Sequence, residues 1–521
     1  MSQKGEAGLH AKILVLDFGS QYTQLIARRI RELKFYTEIH PYSLKISEIK
    51  KINPSGIILS GGPSSVYDKK SPRPDKEIFN LGLPILGICY GLQLIADTFG
   101  GRVEAAALRE YGKADLKNVK DSDLLSGINP GSQVWMSHGD KVKKLPTGFN
   151  GIASTSSSPY AVISHKSKPI FGLQFHPEVR HSLQGNRLLK NFCKVICKVK
   201  PNWTMKNFAH EQMQIIRETV KNERVLLGLS GGVDSTVTAK LLHDAIGDQL
   251  TCVYVDNGLM RKDETVAVKK RFKDYFNIKL EVVNAEAVFL EALKGVSEPE
   301  QKRKIIGRLF IQEFNKRAKK LGHHEFLAQG TLYTDVIESV SVKGPSETIK
   351  SHHNRVKEVL ELLKAGKVIE PLKELFKDEV RSLGLELEIP HEMLFRHPFP
   401  GPGLAIRILG DITGKKLSLL READAILIDE LKTSGHYARV WQAFTVLLPV
   451  QSVGVMGDKR TYENVAAIRV VESHDGMTAD FARLPHEFLA KVSTRIINEV
   501  KGINRVVYDI SSKPPATIEW E

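Results

Sequence analysis

The stretch Arg224-Val-Leu-Leu-Gly-Leu-Ser-Gly-Gly-Val-Asp-Ser-Thr-Val-Thr-Ala-Lys-Leu-Leu242 decides the fold class. Its apolar run, Val225 to Leu229, reads as a buried strand. After the loop Ser230-Gly231-Gly232-Val233-Asp234-Ser235, the residues Val237, Leu241 and Leu242 recur at helical spacing. Strand, tight loop and helix in that order form the unit of a parallel, doubly wound α/β sheet. Successive N–H groups at such a helix start, together with the helix dipole, favour an anion. Ser230 and Ser235 add hydroxyl donors, and Asp234 can hold a phosphate-bound cation. An ordinary strand-to-helix turn also carries Gly and Ser, but two Ser, two Gly and an Asp in six residues is dense phosphate chemistry. A P-loop is excluded, because no Gly-Lys-Ser/Thr follows the glycines.

At 521 residues the chain has room for about three domains. Apolar residues at 42% and charged residues at 26% are the mix of an ordinary globular protein with adequate cores. No apolar run approaches the ~20 residues of a membrane span, and no signal-peptide pattern opens the chain, so no membrane partner is expected. The cysteines Cys89, Cys193, Cys197 and Cys252 are too few and scattered for a disulfide framework, which points to a reducing cytoplasm. A net charge of +15 raises the question of nucleic acid. The basic residues are interleaved with acidic ones, as in Arg261-Lys-Asp-Glu264, and no RNA-recognition aromatic signature accompanies them. Attraction of anionic nucleotides, without a nucleic-acid partner, is the expectation.

Alternating strands and helices also fill the N-terminal third. Lys12–Asp17, Gly56–Ser60 and Leu83–Ile88 read as strands, and Tyr22–Leu33 and Tyr90–Ala96 as helices. The chemistry of such a sheet belongs at the carboxyl ends of its strands. Gly87-Ile-Cys89-Tyr-Gly91 has the strand–turn–helix setting and paired glycines of a nucleophile elbow. A lone cysteine is more often a small buried hydrophobe, so the elbow needs a base. Phe171-Gly-Leu-Gln-Phe-His176-Pro-Glu178 supplies one: a strand delivers His176 to the same edge, and Glu178 lies close enough to orient the imidazole.

These residues resemble the class I glutamine amidotransferases over roughly residues 11 to 200. The resemblance implies a triad of Cys89, His176 and Glu178. It also implies oxyanion-hole amides at Gly62 and Tyr90, and glutamine binding helped by Gln93. Ser137-His-Gly-Asp140 is similar to a family glutamine-site or interface loop. The hexapeptide Ser230–Ser235 resembles the pyrophosphate loop of the ATP pyrophosphatases. Two further strand ends, at Asp256 and at Gly330, are expected to frame adenosine above it.

Lys302, Arg303, Lys304 and Arg308 share one helix, which reads equally as a solvated basic face or a phosphate contact. The cluster Lys350, His352 and His353 reads as a cationic lid over leaving pyrophosphate rather than as a zinc site. From Arg396-His-Pro-Phe-Pro-Gly-Pro-Gly-Leu404 onward, strands are expected at Ala405–Leu409, Leu447–Val455, Ile468–Ser473 and Val506–Ile510. Helices at 415–433 and 486–500 complete a small α+β domain. The tail Ser512-Lys513-Pro-Pro-Ala-Thr517-Ile-Glu519-Trp-Glu521 carries Pro, Trp and charges like a segment docked for use, the plain alternative being a surface ion pair between Lys513 and Glu519.

Taken with the tail, these motifs resemble the family of glutamine-hydrolysing GMP synthases over essentially the whole chain. The resemblance implies an amidotransferase domain over 1–200, an ATP pyrophosphatase domain over 201–395 and a dimerisation domain over 396–521. It implies the substrates xanthosine 5′-phosphate (XMP), ATP and L-glutamine, Mg2+ held with ATP through Asp234, no organic cofactor, and a homodimer. It places XMP against Arg303, Gln442, Asp458, Arg460, Lys513, Thr517, Ile518 and Glu519. The chain departs from the family pattern at Thr334, where Pro is common, and after His353, where Arg355–Leu360 reads as helical. NAD synthetases and tRNA-thiolating enzymes share the phosphate loop. The former need no XMP-binding tail, and the latter need sulfur-handling cysteines where the middle third has only Cys252. A basic RNA-binding scaffold would leave both the triad and the loop idle.

Overall fold

The computed structural model describes residues 10–340, 365–456, 459–473, 476 and 478–521. The expected lid residues Lys350, His352 and His353, and Asp458 of the XMP set, lie outside them. The chain divides into two compact units, one built on the residues up to Phe208, the other on Ala209–Val336 with the described residues from 365 onward.

In the first unit, β1 (Lys12–Asp17), β2 (Tyr36–Pro41), β3 (Gly56–Leu59) and β4 (Ile85–Ile88) are followed by a ribbon of β5 (Arg102–Asp115) and β6 (Gln133–Lys144). Then come β7 (Phe149–Ala153), β8 (Val162–His165) and β9 (Ile170–Leu173). The described residues form a sheet in the order β2-β1-β3-β4-β9-β8-β7. Its first five strands are parallel, β8 pairs antiparallel with β9, and β7 pairs antiparallel with β8. Ile13–Leu16 and Ile57–Leu59 are wholly buried, as continuous apolar runs must be when helices cover both faces of a parallel sheet. Because β3, β4 and β9 are neighbours, their carboxyl ends bring Gly61-Gly62, Cys89 and His176 to one edge.

The second unit repeats the logic with β10 (Val225–Leu229), β11 (Leu250–Asp256), β12 (Leu280–Asn284), β13 (Phe326–Ala328) and β14 (Val368–Ile369). All pair in parallel, in the order β12-β11-β10-β13-β14. The ends of β11, β10 and β13 therefore adjoin, as expected for Asp256, the phosphate loop and Gly330. A second sheet follows, of β15 (Gln442–Met456), β16 (Lys459–Glu472), β17 (Asp480–Phe481) and β18 (Ile503–Tyr508). β16 is central, antiparallel to β15 and β17 and parallel to β18. Helices Gly414–Thr433 and His486–Glu499 cover it. One core runs from Leu226, Val253 and Phe289 through Leu404 and Leu420 to Ala466 and Val492, so the two sheets of this unit share their hydrophobic burial.

Three expectations change. The strand expected at Ala405–Leu409 is a 3-10 turn, Gly403–Arg407, with one bridge from Ile408 to Leu447. Gly403, at φ +64°, donates to Pro400 O and turns the chain, and the carbonyls of Ala405 and Ile408 point to Lys302 rather than to a neighbouring strand. Lys302 is accordingly neither part of a solvated face nor free for phosphate: its side chain is fully buried. The strands expected at Leu447–Val455 and Ile468–Ser473 are parts of longer β15 and β16. The irregularity between Leu447 and Gln451 spans Pro449, which cannot donate to the ladder.

Candidate active site

Cys89 caps the helix Tyr90–Thr98 with φ 52° and ψ −102°, a conformation a non-glycine residue adopts only when its surroundings enforce it. The enforcement is steric. A Cβ on Gly87 would meet Gly91 carbonyl atoms at 2.5 Å, and one on Gly91 would meet Leu59 O at 2.4 Å. The Cys89 N–H donates to Leu173 O at 2.7 Å, which ties the elbow to the end of β9. The thiol lies 3.7 Å from the Ser137 carbonyl.

His176 Nδ1 is 2.7 Å from Glu178 Oε1, with side-chain exposures of 4% and 0%. Burial is the largest influence on the imidazole and disfavours its charged form. The Glu178 carboxylate and the Cys89 sulfur beside it together outweigh burial and hold the pKa well above 6.5. Arg29 donates to Glu178 O at 2.9 Å and Ser182 to His176 O, fixing the backbone of both. A Cβ on Gly61 would sit 3.3 Å from His176 Cε1, and one on Gly62 would meet Phe18 O at 2.8 Å, so this loop lies against the imidazole with no space for side chains. Gln93 donates to Asp140 O at 3.0 Å, while Ser65 and Tyr67 donate to the Asp140 carboxylate. The elbow helix and the Ser137–Asp140 stretch are thus joined. Sequence reading missed Ser65 and Tyr67, since no pattern links them to Asp140.

At the other centre, Ser230 Oγ and Ser235 Oγ are 3.0 Å apart, Ser235 donates to Gly232 O, and the Gly232 N–H donates to Ser230 Oγ at 3.2 Å. Gly231 takes φ +76°, a turn that glycine makes without strain. Val233 and Asp234 open the following helix. Gly330 packs on them, a Cβ there lying 3.3 Å from the Asp234 backbone. Asp256 is used within its own turn, accepting from Gly258 N at 3.1 Å and Thr265 Oγ1 at 2.8 Å. Two cations missed from sequence complete the loop. Arg396 donates to Gly231 O at 3.2 Å and pairs with Glu264. Lys377 Nζ pairs with Asp234 at 2.5 Å from 143 residues away, a distance no local motif could bridge. The pair is partly exposed, so it is worth at most about 1 kcal/mol and yields readily to a stronger partner. Among the described residues no group of three or more His, Cys, Asp or Glu could cage a metal. A carboxylate at a phosphate nest suits instead a magnesium ion shared with substrate phosphates.

Of the XMP set, Gln442, Thr517, Ile518 and Glu519 are brought together. Glu519 accepts from Arg407 at 2.8 and 3.1 Å and from Gln442 Nε2 at 2.7 Å, while Arg469 donates to the carbonyls of Ser511, Thr517 and Ile518. Lys513 Nζ donates to Gly476 O at 2.8 Å, so Glu519's partners are Arg407 and Gln442 rather than Lys513. A cleft of about 540 Å³ follows this tail, lined by Asp509, Ile510, Thr517, Glu519 and Trp520 among others. Arg303 lies on the helix Pro299–Lys320, within 3.6 Å of Glu300, and Arg460 stacks on Tyr462 in β16. Neither touches the tail in a described contact.

An elbow cysteine beside a buried His–Glu pair, followed in the same chain by a parallel sheet with a phosphate nest, defines the class: a glutamine amidotransferase joined to a nucleotide-binding synthetase. Residues 14–196 match the family described as glutamine amidotransferase class-I, residues 208–311 that of NAD synthase, and residues 429–520 the GMP synthase C terminal domain. Curated relatives named GMP synthase (glutamine-hydrolyzing) match along the full length. Those of Wolinella succinogenes and Chlorobaculum tepidum are 60% identical over 98% of this chain and 99% of theirs. That of Nitratiruptor sp. is 59% identical over the same shares. The chain belongs to the family of glutamine-hydrolysing GMP synthases.

Proposed function

We propose that the chain performs its family's reaction at two centres, turning XMP, ATP, L-glutamine and water into GMP, AMP, diphosphate and L-glutamate. The observation that carries this is the coexistence, in one chain, of the Cys89 elbow beside the His176–Glu178 pair and the Ser230–Ser235 nest faced by Lys377. In the first centre the Cys89 thiolate attacks the glutamine carboxamide. The backbone amides of Gly62 and Tyr90 receive the oxyanion. His176 gives its proton to departing ammonia, then takes one from the water that frees glutamate, and Glu178 supports the imidazolium throughout. Gln93 holds the Asp140 stretch against the glutamine pocket.

In the second centre the 2-oxygen of XMP displaces diphosphate from ATP, and ammonia then displaces AMP at C2. Ser230, Ser235 and the helix start receive the diphosphate, and Lys377 shifts from Asp234 to its oxygens. Asp234 and the phosphates would hold magnesium, which offsets phosphate charge. Asp256 and Gly330 border the adenosine. XMP lies against Arg303, Gln442, Arg460, Lys513 and Thr517–Glu519. Labour divides over 1–200, 201–395 and 396–521. The test is Cys89→Ala, which is expected to abolish glutamine-dependent GMP formation and to keep the ammonium-dependent reaction. Equal loss of both would contradict two separable centres.

Two further proposals concern setting. Val453 and Val455 on β15 and Tyr462 on β16 leave an exposed apolar face, which a homodimer would cover. Sedimentation at a single chain mass would contradict it. The four free thiols suit a cytoplasmic protein, and no helix among the described residues is long and apolar enough to cross a membrane. Recovery in the membrane fraction after cell lysis would overturn that placement.

A further inference from the structure

Three cations without exposed side-chain surface hold the segment Asp509–Glu521, and one of them, Lys302, has no part in the chemistry above. Arg469 takes the carbonyls of Ser511, Thr517 and Ile518, and Arg407 takes the Glu519 carboxylate. Lys302 Nζ donates to Ala405 O at 3.1 Å, Ile408 O at 2.7 Å and Glu521 Oε2 at 2.5 Å. Those three bonds use every donor an ammonium has. The two carbonyls carry no net charge, so Glu521 is the partner that neutralises Lys302. Left alone, a buried ammonium is costly.

We propose that Lys302 and Glu521 are a positioning pair that fixes the register of the tail, and thereby sets Thr517, Ile518 and Glu519 for XMP. The proposal rests on the tail being the XMP site. Glu519 and Glu521 both reach buried cations, while Trp520 between them is 37% exposed and bonds to Asp509. A slip of one residue would set the indole against the ammonium and strand both carboxylates in solvent. Apolar burial holds this segment at Ile518, which packs against Phe444, Val446 and Ala467, but not at Ile510, which is 65% exposed. Two ion pairs spaced two residues apart set the register. Lys302 also precedes Arg303 on its helix, and the carbonyls it holds flank Arg407 in the turn. The turn meets, at this one ammonium, the helix and the tail that together carry most of the XMP set.

The test uses the full-length protein with ammonium as nitrogen source and AMP release as readout. Glu521→Ala is expected to raise the KM for XMP roughly tenfold. It should leave kcat within about twofold and the KM for ATP unmoved, the signature of lost substrate binding. Glu521→Gln, which keeps an acceptor for Lys302 without the charge, should fall between. An unchanged XMP KM in Glu521→Ala, or a loss of kcat and Tm at constant KM, would overturn the pair's role. Should Glu521→Ala not fold, the double variant Lys302→Met with Glu521→Leu fills the site without buried charge. It is expected to fold and still show the raised XMP KM, and a wild-type KM there overturns the proposal. Wild-type protein that releases no AMP with XMP would instead count against the reaction itself.

Discussion

Replacing Glu178 by Gln keeps the shape of the triad and removes its charge. The bond to His176 is 2.7 Å long, and Glu178 is fully buried, so solvent does little to weaken it. A hydrogen bond of this charged kind is worth about 1.5–3 kcal/mol. With about 1.4 kcal/mol per factor of ten in rate, glutamine hydrolysis should fall roughly 10- to 100-fold. The pH dependence has a definite sign. His176 is raised above 6.5, so its pairing with Glu178 stabilises the fold fully below that value and fades as pH climbs through the raised pKa. The Tm gap between wild type and Glu178→Gln should therefore be widest in mild acid and narrow in alkali. The assays are glutamate release and thermal melts across that range, with ammonium-dependent GMP formation as the control. A variant with wild-type glutaminase, or a Tm gap that widens toward alkaline pH, would refute this reasoning.

The other predictions address the two sites separately. Asp234→Ala should stop AMP release with either nitrogen source, and wild-type rates with ammonium would rule out its phosphate role. Lys377→Met should raise the ATP requirement about tenfold, measured as AMP release against ATP concentration, because it removes the one cation paired with Asp234 in the described contacts. Gly62→Ala pushes a methyl to 2.8 Å from Phe18 O, so the loop must shift. Glutaminase should fall while ammonium-dependent synthesis holds, and loss of the latter would refute an oxyanion role.

What could be read from sequence was whatever local pattern records. Continuous apolar runs ending in Gly-Gly, Cys89 or the Ser230–Ser235 loop gave both parallel sheets, and adjacency of strand ends placed Cys89 near His176. What stayed hidden was made by distant partners. Lys302, in a run of basic residues, reads as solvated, yet carbonyls from the Gly403–Arg407 turn and Glu521 make its burial tolerable. Arg469 sits in the core at a strand position that otherwise demands an apolar residue, because tail carbonyls return to meet it. Lys377 finds Asp234 because the helix it opens, Lys377–Glu386, packs on the helix Val233–Ile246. The expected strand at Ala405–Leu409 failed for the same reason, since its carbonyls are claimed by an ammonium rather than a ladder.

The most direct test of function is AMP release by the purified chain with ATP, magnesium and L-glutamine, offered XMP, nicotinate adenine dinucleotide or tRNA in turn. The expected result is AMP with XMP alone, in step with GMP and glutamate. AMP formed with either of the other two acceptors, or none with XMP, would contradict it.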